Sequence, residues 1–255
     1  MTIGEARAAA ARTLTHVSDA PPLDADRLLL HIFGQSETAW LLLHSEDPLS
    51  ATQEEELQAL VCERASGKPL AYVLGEAWFY GRPFMVSPAV LIPRPATEDL
   101  IERSLEVIDS LFLARGRPLV IADIGTGSGC IAITLLLERP AAIEKISAVD
   151  SSPAALAVAK KNADLYGLPN RIDFRLGDML SPLRGKKIDL LVSNPPYVPT
   201  AELDKRATIE TAGLQFEPRA ALDGGPDGLA FVSQIKKAGM PAVIETVGGE
   251  IDVVD

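Results

Sequence analysis

Cysteine is nearly absent. The 255 residues hold only Cys62 and Cys130, too few for a disulfide framework, so a reduced, cytoplasmic setting is expected. Histidine is as scarce: His16, His31 and His44 share no ligand-like spacing, and no metal centre is expected. Long apolar runs are missing too. "AWLLLH" is far too short to cross a bilayer, and no membrane association is expected. Basic charge is in short supply, with 24 Lys and Arg against 35 Asp and Glu and a net charge of −11. Proteins that grip a nucleic-acid backbone usually present a basic face. The balance points instead to a small molecule or a protein partner, with no direct nucleic-acid contact, and the chain is expected to be a monomer. The first residues, "MTIGEARAAAARTL", lack the basic-then-apolar order of a secretory signal and read as a helix. No internal repeat or low-complexity segment is evident.

What is present divides into three stretches. Residues 1–66 carry only helical periodicity, through Ala8 to Val17, Leu23 to Phe33 and Ala39 to Leu43. The clearest helix lies in "SATQEEELQALVCERASG", where Ser50 and Gln53 form a capping box and Gly67 is placed to stop it. Residues 67–95 are aromatic and rich in Gly and Pro, and predict a β-hairpin around Gly81-Arg82-Pro83 that links two domains. From residue 96 to 255 helices and strands alternate. A helix over Thr97 to Leu113 is followed by a strand at Leu119 to Ile124, a helix at Ser128 to Leu137, a strand at Ile146 to Asp150 and a helix at Pro153 to Tyr166. Strands at Ile172 to Leu176 and Ile188 to Ser193 follow. This alternation predicts an α/β domain with a parallel sheet covered on both faces.

The strand "VIADI" runs into Gly125, Gly127 and Gly129 and then a helix. Glycines let the backbone turn sharply and a ligand approach without a Cβ in the way. Open α/β sheets bind ligands at the carboxyl ends of their strands. Asp150 ends the next strand at that same edge, spaced to accept hydrogen bonds from both hydroxyls of a ribose. The spacing G-x-G-x-G differs from the nicotinamide fingerprint, and Asp123 just ahead of it suits the amino group of a methionine moiety better than a pyrophosphate. S-adenosyl-L-methionine is the better fit. A nicotinamide oxidoreductase remains an alternative. "RLGDML" closes a further strand, where Asp178 is placed to meet an adenine amino group and Met179 to pack on the ring.

"VSNPPYV" stands at the end of the next strand. Proline pushes the residue before it into extended geometry, and Pro195 and Pro196 each fix φ and lack an N–H. The side-chain oxygen of Asn194 and the carbonyl of Pro195 can together accept both hydrogens of one planar –NH2 group, with Tyr197 stacked on the flat face beside it. Such hydrogen bonds raise electron density on a delocalised nitrogen and aim its lone pair, so the chemistry predicted is methyl transfer to an amide or an exocyclic amine by orientation and electrostatics.

At these residues the chain resembles the amino-methylating branch of the class I, Rossmann-like S-adenosylmethionine-dependent methyltransferases. Its finer resemblance is to the HemK family, the peptide chain release factor glutamine methyltransferases. "DIGTGSG" and "NPPY" carry it together with "GKPLAYVLGEAWFYGRPFMV", "LIPRPATEDL" and "FEPRAALDGGPDGLAF". Ala96 and Ala71 depart from the pattern, where Glu and Gln are usual. The resemblance implies methylation of the glutamine amide in a Gly-Gly-Gln loop of release factors. It implies that Gly125, Thr126, Gly127, Ser128, Gly129, Asp150, Met179 and Asn194 contact the cofactor, and that Asn194, Pro195, Pro196 and Tyr197 hold the glutamine. Residues 1–66 would recognise the substrate. Arg94, Glu98, Glu217 and Arg219 either shape the site or bind domains together. A glutamine methyltransferase of a ribosomal protein, a nucleic-acid adenine methyltransferase and a non-catalytic binding module are the alternatives. After Phe231, "QIKKAGMPAVIETVGGEIDVVD" follows the family pattern poorly, and the sheet is expected to lack its closing antiparallel hairpin.

Overall fold

A computed structural model describes residues 1–203, 205 and 212–254. The chain forms two units, Met1–Gly75 with Arg206–Phe216, and Glu76–Lys205 with Glu217–Asp255. In the first, α1 (Ile3–Leu14), α2 (Pro21–Phe33), α3 (Thr38–Leu43), α4 (Ala51–Ala65) and α5 (Leu70–Leu74) pack around Leu14, Leu28, Leu29, Leu41 and Val61. Each is apolar on one face at helical spacing, which is why the core forms there. The Ser50–Gln53 capping box is present, and Gly67 adopts φ +89 just past the end of α4. Arg64 ties this unit together: Nε donates to Asp24 at 2.8 Å and Nη2 to the Val17 carbonyl at 2.7 Å.

The stretch read as an interdomain hairpin divides differently. Residues up to Gly75, including α5, belong to the helical unit, whereas the hairpin proper belongs to the second. Strands β1 (Glu76–Phe79) and β2 (Arg82–Met85) pair antiparallel across Tyr80 and Gly81, whose φ values of 50 and 70 suit a two-residue turn. Phe79 and Phe84 are fully buried in the α/β core. The hairpin is thus a packed part of that unit and not a free linker.

The second unit continues with α6 (Thr97–Arg115), β3 (Leu119–Ile124), α7 (Cys130–Glu138), β4 (Ile143–Asp150), α8 (Pro153–Leu165), β5 (Ile172–Leu176) and β6 (Leu190–Ser193). Then come α9 (Thr200–Leu203), α10 (Ala230–Lys236), β7 (Ala242–Glu245) and β8 (Ile251–Val254). The strand order is β5-β4-β3-β6-β7-β8, parallel except for β8. The chain moves outward from β3 through β4 to β5, then returns to place β6 on the other side of β3. That reversal opens a crevice at the carboxyl ends of β3 and β6. The expected loss of an antiparallel closure is corrected: β8 runs antiparallel to β7, with Glu245 opposite Ile251 and Ala242 opposite Val254. Gly248 and Gly249, at φ 79 and 78, supply the reversal between them. Among the described residues no helix is long and apolar enough to cross a membrane.

Asn162, fully buried on α8, fastens hairpin to sheet. Its Oδ1 accepts from the Met85 N–H at 2.8 Å, and Nδ2 donates to the Met85 carbonyl at 3.0 Å and to the Ser128 carbonyl at 2.8 Å. Asn162→Ala is expected to destabilise the protein by about 2–3 kcal/mol, because it strands those backbone groups. Urea unfolding followed by circular dichroism measures this, and a loss of less than about 0.5 kcal/mol would contradict the role.

Candidate active site

Loops after β3, β4, β5 and β6 surround a cavity of about 370 Å³ at the carboxyl edge of the sheet, within the size range of small-ligand sites. Gly125 and Gly127 line it with φ values of 74 and 54. The loop is anchored from behind, where the N–H groups of Gly125 and Thr126 both donate to the Val149 carbonyl at 2.9 Å. Gly129 has another task. A Cβ there would lie 3.2 Å from Ala159 Cβ and 3.3 Å from Ile133 Cδ1, so its lack of a side chain lets α7 and α8 approach. Asp150 lines the cavity with its carboxylate fixed in place: Oδ2 accepts from the Gly127 N–H and Oδ1 from the Ser152 N–H, each at 2.9 Å. Each oxygen keeps acceptor capacity for a further donor.

The rest of the glycine-loop prediction falls behind the wall. Asp123, Thr126, Ser128 and Gly129 do not line the cavity. Asp123 is fully buried, with Oδ2 accepting from the Thr126 hydroxyl at 2.6 Å, while Oδ1 has no partner among the described residues. Burial pushes its carboxyl up to about 7, and the neighbouring charge of Asp150 adds to the rise. Its expected contact with a ligand amine is therefore corrected to a place one residue behind Ile124 and Gly125, which do line the cavity. Thr126 serves Asp123, and the Ser128 carbonyl serves Asn162. Asp178 and Met179 are on the wall as read from sequence. Met179 holds a left-handed φ of 47, and a Cβ on Gly177 would meet Pro182 Cγ at 2.5 Å. This bend brings both side chains to the edge.

Asn194, Pro195 and Pro196 line the cavity across from the glycine loop. The Ser193 hydroxyl, donating to the Ile124 carbonyl at 2.7 Å, ties the ends of β6 and β3 together. Asn194 Nδ2 donates to Thr97 Oγ1 at 2.9 Å, which leaves the amide oxygen free to accept. Tyr197 departs from expectation. It does not line the cavity; its hydroxyl donates to Glu245 Oε1 at 2.9 Å. Burial and then the Glu245 carboxylate raise the phenol to about 12, so it keeps its proton. Glu245 is fully buried at the end of β7, and its Oε2 has no partner among the described residues. Burial lifts its carboxyl above the usual range, while the hydroxyls of Thr97 and Tyr197 draw it back.

Residues 222–228 clasp the corner. Val198 N–H donates to the Leu222 carbonyl at 3.0 Å, Gly224 N–H to the Val198 carbonyl at 2.8 Å and Thr200 N–H to the Gly225 carbonyl at 2.9 Å. A Cβ on Gly224 would stand 2.8 Å from both Pro196 O and Tyr197 Cα, and one on Gly228 would stand 2.4 Å from Tyr197 O. On the facing wall Glu217, whose side chain is only 2% exposed, pairs with Arg94 and accepts from the Ile92 N–H at 3.1 Å. This latch joins the "LIPRP" and "FEPR" stretches, and Leu91 and Pro218 beside it line the cavity. Arg219 lies 3.6 Å from Asp223. Glu98 instead accepts from the Tyr80 N–H at 2.7 Å and pins the hairpin turn. Sequence reasoning missed Thr97, Asn162 and Glu245. The available signal was a polar residue closing the apolar "PAVIE" strand at the ligand edge.

A family model described as the PrmC N-terminal domain matches residues 5–75, and one described as the methyltransferase small domain matches residues 107–254. The release factor glutamine methyltransferase of Xylella fastidiosa (strain 9a5c) is 44% identical over 226 residues, 89% of this chain and 77% of that protein. The one from Chlorobaculum tepidum is 43% identical over 224 residues, 86% of this chain and 74% of that protein. Among solved structures, the hMettl16 catalytic domain in complex with MAT2A 3'UTR hairpin 1 is 15% identical, covers 78% of this chain and 69% of that chain, and has a TM-score of 0.48.

The clasp allows a direct check. Gly228 has φ +75 and sits against the Tyr197 carbonyl, so Gly228→Ala combines backbone strain with overpacking. It is expected to cost about 2–4 kcal/mol, whereas Gly239→Ala, with φ +63 and open space around the added Cβ, is expected to cost about 1 kcal/mol. Equal losses in thermal unfolding would argue against the clasp.

Proposed function

The chain belongs to the release factor glutamine methyltransferase family, and from that membership we propose that it transfers a methyl group from S-adenosyl-L-methionine to the side-chain nitrogen of the glutamine in the Gly-Gly-Gln loop of a peptide chain release factor. The observation that carries the reading is the corner at Asn194. Its amide nitrogen is committed to Thr97, so its oxygen stands beside Pro195 at the cavity as a hydrogen-bond acceptor.

The residues fit the cofactor. Gly125 and Gly127 leave an open surface where no Cβ intrudes. The fixed carboxylate of Asp150 suits two ribose hydroxyls, and Asp178 and Met179 suit an adenine edge and face. The carboxyl of Asp123 lies just behind the wall, raised to about 7 by burial. When bound, the cofactor supplies an electrophilic methyl group on a sulfonium.

The chain's own work is orientation. A glutamine amide nitrogen is a weak nucleophile because its lone pair is shared with the carbonyl. Asn194 Oδ1 and the Pro195 carbonyl accept its two hydrogens, which holds the –NH2 plane and favours electron density on nitrogen. Pro195 and Pro196 fix φ and offer no competing N–H, so the corner need not reorganise during the reaction. Asn194, Pro195 and Pro196 carry no ionisable group, so the proton that the nitrogen sheds on gaining the methyl group passes to solvent, and the rate enhancement assigned to them comes from geometry and electrostatics. Tyr197 serves this corner through Glu245, outside the cavity, in place of the stacking role expected from sequence. The net charge of −11 accords with a protein substrate better than with a nucleic-acid backbone.

Incubation with tritiated S-adenosyl-L-methionine and, separately, release factor, ribosomes or DNA tests the proposal. Label is expected on the release factor alone and is expected to vanish when its loop glutamine is replaced; label on DNA would reject the assignment. Asn194→Ala is expected to lower kcat by roughly 10²-fold or more while cofactor affinity changes little. Asp150→Ala is expected to show the opposite pattern, weakening cofactor binding by roughly 10- to 100-fold through lost charge-assisted hydrogen bonds. Equal loss of binding and turnover in both variants would refute this division of roles.

A further inference from the structure

We propose that Ser193 is a positioning residue whose hydroxyl sets the spacing between the two halves of the cavity, the loops that would hold the methyl donor and the corner that would hold the nitrogen. The inference rests on the reading of Asn194 given above and adds the contact that fixes its distance from the donor side.

The seams along the ligand edge of the sheet are not alike. Between β5 and β4 the Gly177 N–H donates to the Asp150 carbonyl at 3.0 Å, and between β4 and β3 the N–H groups of Gly125 and Thr126 donate to the Val149 carbonyl at 2.9 Å. These bonds are main chain to main chain, and they hold the donor side together whatever its side chains. The seam between β3 and β6 joins the donor side to the corner. Ile124 and Ser193 are partners there, at the end of the parallel ladder. Beyond Asn194 the chain continues with Pro195 and Pro196, which have no N–H to offer. A side chain supplies the donor: the Ser193 hydroxyl meets the Ile124 carbonyl at 2.7 Å. Ser193 is fully buried, Ile124 nearly so, and both stand in the wall of the cavity. Ile124 leads directly into Gly125, and Ser193 directly into Asn194. The bond therefore ties the base of one half to the base of the other. Reacting groups must meet close to contact distance, and a misplacement of about 1 Å costs on the order of 10²-fold in rate. The prolines that stiffen the corner take away main-chain donors, and the serine just before them restores an attachment to β3.

Ser193→Ala removes the hydroxyl, and Ser193→Cys keeps nearly the same volume with a much weaker donor. The test measures kcat and KM for release factor. Calorimetry adds the Kd of S-adenosylhomocysteine and of a bisubstrate analogue, in which the donor's sulfur is replaced by nitrogen and joined through a short carbon link to an amide. S-adenosylhomocysteine engages the donor half alone, whereas the analogue spans both halves and senses their separation. Both variants are expected to lose roughly 10- to 100-fold in kcat. KM and the Kd of S-adenosylhomocysteine are expected to stay within about threefold of the parent, because the main-chain bonds of the donor half are untouched. The analogue is expected to bind the parent roughly tenfold or more tighter than S-adenosylhomocysteine, and to lose most of that advantage in both variants. The inference is overturned if either folded variant keeps parental kcat, or if the analogue's advantage survives the substitution or is missing in the parent. A fall in S-adenosylhomocysteine affinity that tracks the rate also overturns it and assigns a structural role instead. Failure of the parent chain to label release factor at all would sink the functional reading itself. The two calorimetric affinities need no turnover, so that result is read separately.

Discussion

The commitment of one amide nitrogen to a buried hydroxyl, Asn194 to Thr97, is the constraint on which the site turns. An amide is useful to a planar nitrogen substrate only when its oxygen is presented, and nothing in the asparagine itself enforces that. The partner that holds the nitrogen is a threonine at the start of α6, and beside it the corner is held by a phenol that keeps its proton and donates to a carboxylate at the end of β7. The glycine loop, Asp150 and the bend at Met179 then form the other side of the cavity, so that two independent sets of loops converge on one edge of the sheet. The fold's contribution is the order of its strands. By returning to the far side of β3, the chain brings the ends of β3 and β6 side by side.

Much of this was legible in residues alone. Apolar runs bounded by glycine and alternating with helical stretches mark β3, β4, β5 and β6, and the prolines of "NPPY" mark a stiff corner whatever surrounds it. What sequence did not carry was depth. Asp123 and Gly125 stand two residues apart, which strand alternation alone would put on one face, and it is the loop's reversal after Ile124 that leaves one behind the wall and the other on it. Tyr197 was assigned to the cavity for the same reason: the pattern shows that a ring follows the prolines but not which way the chain turns next. That turn is set by hydrogen bonds to Leu222 and Gly225, more than twenty residues downstream. Thr97 and Glu245, far apart in sequence, reach Asn194 and Tyr197 only through tertiary packing.

The tail teaches a different lesson. "AVIETVGGEIDVVD" contains two short apolar stretches around adjacent glycines, which is enough to form an antiparallel pair. The hairpin between Glu76 and Met85 makes the converse point. Its turn was expected around Gly81-Arg82-Pro83 and falls at Tyr80-Gly81, with Arg82 and Pro83 already paired in β2, and its alternation of buried Phe79 and Phe84 with exposed Trp78 and Met85 packs it into the α/β core where a linker was expected.

The glycine clasp around Pro196 and Tyr197 carries a consequence for how such a catalyst diversifies. Main chain touches main chain there, without intervening rotamers, so the corner cannot be retuned by gradual exchange of neighbouring side chains. Divergence toward a different nucleophile must be concentrated on the opposite rim, while the clasp is inherited whole or abandoned.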